Sequence, residues 1–399
     1  MPQLRSDSVR AAHPNDAVWR ADVFPVSSVT APAAALVAAP SSWHVAASDT
    51  LMHSRVSALR PKRSQLVSLA LIAAFGAVTT GVEPGKPSKT AIMAAAFRAI
   101  GARNPDARFR NPDFLAGRFL RSEDLELLAA NGLDLRRQMT LQGEPLTEYL
   151  HQSIAITTNF VRTVHIDASL RNCIRGGATQ VVVLGAGLDS RPYRFGKEFP
   201  SATFYEVDFP ATQAYKMRRV RQVLGRIPKS VRYVPVDFTK DDLSTQLLRA
   251  GYSEKVKTFF IWEGVIHYIP ESAVRATLNF VADHSGLGSQ IVFDYPLTTN
   301  HRINNPNDLL ARWGEPFVFG FPVEGPSRML REERLRLVSD ISNAELVREY
   351  AVRPDGTSSL RVPDNANRDA DDAAIALAEV SKAPSQSEVQ FRHTHYEND

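Results

Sequence analysis

The residue types most suggestive of chemistry are a glycine turn and a series of carboxylates spaced behind it. The run VVVLGAGLDSR, residues 181–191, takes an apolar, β-branched segment straight into Gly185-Ala186-Gly187. Glycines at such a corner permit a tight turn and let the backbone approach a ligand closely, and a following helix offers free N–H groups to a polar atom. Asp208, in EVDFP, follows about twenty residues later, where nucleotide-binding α/β folds place a carboxylate against two ribose hydroxyls. A helical stretch begins just after it, so N-capping is the structural alternative. Asp237 and Phe238, in VPVDF, pair an acceptor for an exocyclic amine with an apolar plane, as an adenine requires. Glu263 follows Trp262 in WEGVIHYIP, and His267, beside Tyr268, is a candidate base. Ser190 stands where a dinucleotide fingerprint needs its third glycine.

These residues share a placement. Short apolar runs at 181–184, 203–207, 231–236, 258–262 and 290–293 read as strands. Helical periodicity at 211–224 and 272–284 lies between them. Such alternation predicts a parallel sheet covered on both faces. Four consecutive strands then deliver glycine or a carboxylate at their C-terminal ends, the edge at which open α/β sheets bind ligands. Upstream, 88–100 (with Ser88 as N-cap), 122–131 and 146–173 read as helices. The aromatic-rich stretch 296–326, carrying Trp313, Phe317, Phe319 and Phe321, reads as a cover suited to an apolar ligand.

Composition narrows the class. With 399 residues, 44% hydrophobic and 23% charged, the chain is globular rather than disordered or fibrous. A net charge of +4 is too small to point to nucleic acid as a partner. Cys173 is the single cysteine, which excludes an intrachain disulfide framework and any multi-cysteine zinc site. His393 and His395 read as exposed residues, and no metal is expected. The ends differ from the middle. Residues 1–83 read as a low-complexity extension containing an uncharged apolar segment, 66–82, behind Arg60, Lys62 and Arg63. That segment is either a helix docked on the body, a membrane anchor or a targeting peptide, and Met52 is an alternative start. Residues 84–350 read as the folded domain. Residues 351–399 read as a mostly flexible tail with an edge strand near 358–362 and a helix near 371–380.

The joint pattern LGAGLDSRPYRF, EVDFP, VPVDF and WEGVIHYIP resembles the leucine carboxyl methyltransferase family, and more closely its bacterial-type branch. PSKTAIMAAAFRAIGARNPDARFRNPDFLAGRFL at 87–120, and Arg162-Thr163 with Asp167, are similar to that family's upstream segments. The resemblance implies a class I S-adenosyl-L-methionine (SAM) dependent methyltransferase: a Rossmann-like, mostly parallel seven-stranded sheet with helices on both faces and an N-terminal helical cap. It implies that Lys89 and Arg162 hold the methionine carboxylate of SAM, and that Gly185 and Gly187 underlie the methionine portion. It further implies that Asp208 binds the ribose, Asp237 and Phe238 the adenine, Glu263 the methionine ammonium, and that Tyr268 stands near the acceptor, with His267 beside it. The implied reaction is O-methylation of a carboxylate or hydroxyl on a small molecule or peptide C-terminus. The alternatives are a nicotinamide-dependent oxidoreductase and a non-catalytic SAM-binding module. A cytoplasmic location is expected, with membrane anchoring through 66–82 as the alternative.

Overall fold

The structure, a computed structural model, describes residues 87–236, 241–363 and 373–381. The apolar segment 66–82, Met52, His393 and His395, and the pair Asp237 and Phe238 lie outside the described residues.

Seven strands form one sheet: β1 (Gln180–Leu184), β2 (Thr203–Asp208), β3 (Val231–Pro235), β4 (Thr258–Trp262), β5 (Gln290–Pro296), β6 (Leu335–Ser342) and β7 (Ala373–Val380). Their order is β3-β2-β1-β4-β5-β7-β6. The first five pair in parallel, and β7 runs antiparallel to both of its neighbours. The central strands carry apolar side chains on both faces, because each face is covered. Val182, Leu184, Phe260 and Trp262 join one buried cluster. Val181, Val183, Phe259 and Ile261 join the opposite one. Fully buried parallel strands therefore read as unbroken apolar runs rather than alternating ones.

Helix α1 (Lys89–Gly101) starts where the sequence predicts. The Ser88 hydroxyl caps it by accepting from the Ala91 N–H at 3.3 Å. Three expectations change. The helix expected over 146–173 is two, α2 (Gly143–Gln152) and α3 (Ile154–Arg175), divided at Ser153, whose backbone is extended. Apolar periodicity runs through this break and conceals it. No strand forms at 358–362. Leu360 is nevertheless buried, and the Arg361 N–H donates to the Leu150 carbonyl at 3.2 Å. The predicted helix over 371–380 is β7 instead. The run AAIALAEV favours helix by local propensity, but the segment sits between β5 and β6. There Ala374, Ala376, Ala378 and Val380 face one cluster and Ile375 the other, and tertiary packing overrides propensity. The sheet thus includes residues beyond 350, the point at which the domain was expected to end.

Among the described residues no helix is long and apolar enough to cross a membrane.

Candidate functional site

The C-terminal ends of β1, β2, β4 and β5 open into a cavity of about 1070 Å³. β1 lies at its centre, flanked by β2 on one side and β4 on the other, which is the topological switch point of the sheet. Helices α1 and α3 and the segment between β5 and β6 supply the other walls.

Gly185 and Gly187 adopt φ +67° and +41°, in the region glycine visits freely. The N–H groups of Gly185 and Ala186 both donate to the Val207 carbonyl at 3.0 Å, tying the turn to β2. Asp208, at the end of β2, closes the turn from the other side. Its Oδ2 accepts from Gly187 N–H at 2.6 Å and its Oδ1 from Phe209 N–H at 2.7 Å. The helix that follows, α4 (Pro210–Leu224), has Phe209 as its N-cap and no side-chain cap bond, so Asp208 is not its cap. Burial raises the Asp208 carboxyl to about 6, although both N–H donors favour the ionised form. Behind the turn, the buried Lys216 donates to the Ala186 carbonyl at 3.2 Å and pairs with Glu206 at 3.0 Å. Burial raises Glu206 to about 7 against that pull.

Glu263, just past β4, is held between two arginines. Arg191 Nη1 donates to its Oε2 at 2.6 Å, and Arg162 Nε lies 2.8 Å from its Oε1. Burial would raise this carboxyl, but Arg191 and Arg162 overcome it and hold the group well below the usual carboxylate range. Arg162, from α3, also donates to Asp294 Oδ2 at 2.8 Å. The other Asp294 oxygen accepts from Gly264 N–H at 2.6 Å. Beneath this floor Arg191 pairs with Asp167 and Asp189, Arg194 with Asp167, and Arg98 with Asp113. Ser190, in the place of a third glycine, is fully buried and donates to Asp113, so it serves this network.

Across the cavity stands an aromatic shelf. The His267 ring lies 4.2 Å from that of Tyr268 and 4.1 Å from that of Phe317. Burial, then Arg162 and Arg302, depress His267 to about 3, so it is neutral near pH 7. Burial and the nearby Glu315 push the Tyr268 phenol far up, so it also stays protonated.

Seven of the predicted site residues, Gly185, Gly187, Asp208, Arg162, Glu263, His267 and Tyr268, line this one cavity. Lys89 does not. Its neighbours Ser88 and Thr90 do, while its own N–H donates to Glu315 at 3.2 Å. Of the four aromatic residues of the cover, Phe317 lines the cavity. Trp313 instead donates to the Asn131 carbonyl at 2.8 Å, and Phe319 and Phe321 pack into the sheet's core. Asp189, Asp294, Arg98, Arg302 and Glu315 also line the cavity and were not singled out from the sequence. Asp294 directly follows the expected apolar run 290–293, so the strand-end rule that marks Glu263 marks it too, and the signal was in the sequence. Arg98 carried a weaker signal, a charge on the apolar face of α1 with Ile92, Ala95 and Ala99. Among the described residues no His, Cys, Asp and Glu cluster could hold a metal ion.

The strand order, the glycine turn and the strand-end carboxylates are those of a class I SAM-dependent methyltransferase, and it is the family match and the relatives that give SAM as the cofactor. The leucine carboxyl methyltransferase profile matches residues 91–282. YktD of Bacillus subtilis is 27% identical over 270 residues, which is 64% of this chain and 88% of that protein. SCO7813 of Streptomyces coelicolor is 32% identical over 211 residues, 53% of this chain and 69% of that protein. Both are named as candidate SAM-dependent methyltransferases. A candidate methyltransferase structure from Thermobifida fusca covers 76% of this chain and 98% of its own, at 15% identity and a TM-score of 0.44. The chain belongs to the leucine carboxyl methyltransferase family.

Proposed function

We propose that this protein methylates a carboxylate oxygen on an apolar acceptor, a small molecule or a peptide C-terminus. The observation that carries the choice of carboxylate is the state of the polar groups around the aromatic shelf. A hydroxyl acceptor needs a base near neutral pH, and none of the three candidates suits. His267 is depressed to about 3, Tyr268 keeps its proton and Glu263 is locked between two arginines. A carboxylate is already ionised and needs no proton removed. When bound, SAM supplies an activated methyl group on a sulfonium. The protein's contribution is to hold the acceptor in line at roughly 3–3.5 Å and to exclude water.

For the cofactor we assign the methionine end to Arg162 and Glu263, the ribose to Asp208, and the adenine to Asp237 and Phe238. Lys89 is left out of this assignment because it does not line the cavity. Charge supports the choice of SAM over a nicotinamide dinucleotide. Five carboxylates (Asp189, Asp208, Glu263, Asp294 and Glu315) line the cavity against three arginines (Arg98, Arg162 and Arg302). Counting Arg191, which pairs with Asp189 and Glu263 from behind the lining, carboxylates still outnumber arginines five to four, a balance that favours a cofactor with net positive charge over a pyrophosphate.

Calorimetric titration is expected to give heat with S-adenosylhomocysteine and none with NAD. The reverse would install the oxidoreductase reading. Incubating the protein with extract and methyl-labelled SAM tests the acceptor chemistry. A carboxyl methyl ester releases its label as volatile methanol in mild alkali, and label stable to alkali would refute carboxylate methylation.

A further expectation concerns Asp208. Asp208→Ala should weaken S-adenosylhomocysteine binding by about 1–3 kcal/mol, the scale for removing one buried hydrogen-bonding partner. In the wild type the ionised carboxylate is the form that accepts from hydroxyls, and its pKa is raised to about 6. Affinity should therefore be full above that pH and fall as pH drops through it. Asp208→Asn should remove this step, and a step of unchanged size in that variant would assign it to another group.

A further inference from the structure

We infer that Arg302 binds an anionic group of the methyl acceptor and so sets its preference for acids over neutral analogues. The inference rests on the carboxylate reading above and names the residue that would enforce it.

Three arginines line the cavity, and they differ in what they have left to offer. Arg162 is shared between two carboxylates, Glu263 and Asp294, and its side chain is 16% exposed. Arg98 is occupied by Asp113 and the Leu188 carbonyl, and is 10% exposed. Arg302 is 38% exposed, and its ion-pair partner is Asp308 at 3.2 Å. Both contacts to Asp308 run through Nη1, at 3.2 and 3.3 Å, and Asp308 also caps the next helical turn by accepting from Leu310 N–H at 2.9 Å. An entering anion can therefore meet Nε and Nη2 while Asp308 keeps Nη1 and its backbone donor.

Arg302 also stands in the right half of the cavity. Its guanidinium lies 6.0 Å from the centre of the Phe317 ring, and the Phe317 ring in turn lies against His267, tilted by 39°. Its charge is felt at His267. The acid group would thus be fixed beside the shelf, away from the glycine turn and Asp208. Apolar walls, Leu309 and Phe317 among them, would take the acceptor's body. A planar guanidinium can bind a carboxylate through two parallel N–H bonds, which orients as well as attracts.

The experiment uses the full chain saturated with S-adenosylhomocysteine. It is titrated with matched acid and alcohol pairs: octanoate with octanol, 3-phenylpropanoate with 3-phenylpropanol, and indole-3-acetate with tryptophol. At least one acid should bind the wild type about tenfold or more tightly than its alcohol, the scale of one charge-assisted contact. Arg302→Gln should abolish that preference and Arg302→Lys should keep part of it. S-adenosylhomocysteine affinity should be the same in all three proteins, as the control for an intact cofactor half. The inference is overturned if no acid outbinds its alcohol in the wild type, or if the preference survives in Arg302→Gln. Failure of the wild type to bind S-adenosylhomocysteine would instead count against the methyltransferase reading beneath it.

Discussion

Arg191→Met is expected to destabilise the protein by about 3–5 kcal/mol, the cost of stripping one partner from a buried ion pair. Arg191 is 3% exposed and contacts three carboxylates: Asp167 at 2.7 Å, and Asp189 and Glu263 at 2.6 Å each. Methionine fills much of the same volume but returns no charge. Asp167 would keep Arg194 and Glu263 would keep Arg162. Asp189 would keep only the Arg191 backbone N–H, at 2.7 Å. The melting temperature should fall on the order of 10 °C. Arg191→Lys should recover little, because an ammonium on a flexible stem cannot reproduce a planar fork facing several carboxylates. Adding Asp189→Asn to Arg191→Met should recover part of the loss by removing the least-supported charge. An unchanged melting temperature in Arg191→Met would mean that the network contributes nothing net to stability.

That network marks the limit of what could be read in advance. The strand ends were legible because position follows from type: an apolar run ends, and the next residue is glycine, aspartate or glutamate. Gly185, Asp208 and Glu263 were found that way, although they come from three separate strands. Arg191 and Arg194 were visible as letters in a motif, but their partners Asp167 and Glu263 lie 24 and 72 positions away. Local pattern cannot join such pairs. β7 failed for a different reason. An alanine-rich segment has no side-chain shape that selects strand over helix, so its neighbours in the sheet decide. The cover failed in part because aromatic type does not give direction. Phe317 turns into the cavity, while Trp313 turns away to bond the Asn131 carbonyl.

Gly185→Ala should strongly weaken ligand binding without removing any polar group, and the glycine turn shows why. At φ +67° an L-residue pays about 1–2 kcal/mol in backbone strain. A Cβ there would also fall 2.5 Å from Val265 Cγ2, inside any allowed contact. Val265 cannot easily move aside. It is β-branched and therefore stiff at χ1, and it is packed in the same buried cluster as Trp262 and Ile266. Overpacking of this kind costs about 1–3 kcal/mol. The turn relaxes most cheaply by swinging off β2, which would break the N–H bonds to the Val207 carbonyl and disturb the Gly187 contact with Asp208. S-adenosylhomocysteine affinity should therefore fall by about 30-fold or more, the equivalent of roughly 2 kcal/mol. Gly185→Ala with Val265→Ala separates the two causes. It removes the clash but leaves φ positive, so only part of the affinity should return. Complete recovery would make the effect purely steric. Wild-type affinity in Gly185→Ala alone would show that the turn does not carry the ligand, whatever its backbone geometry.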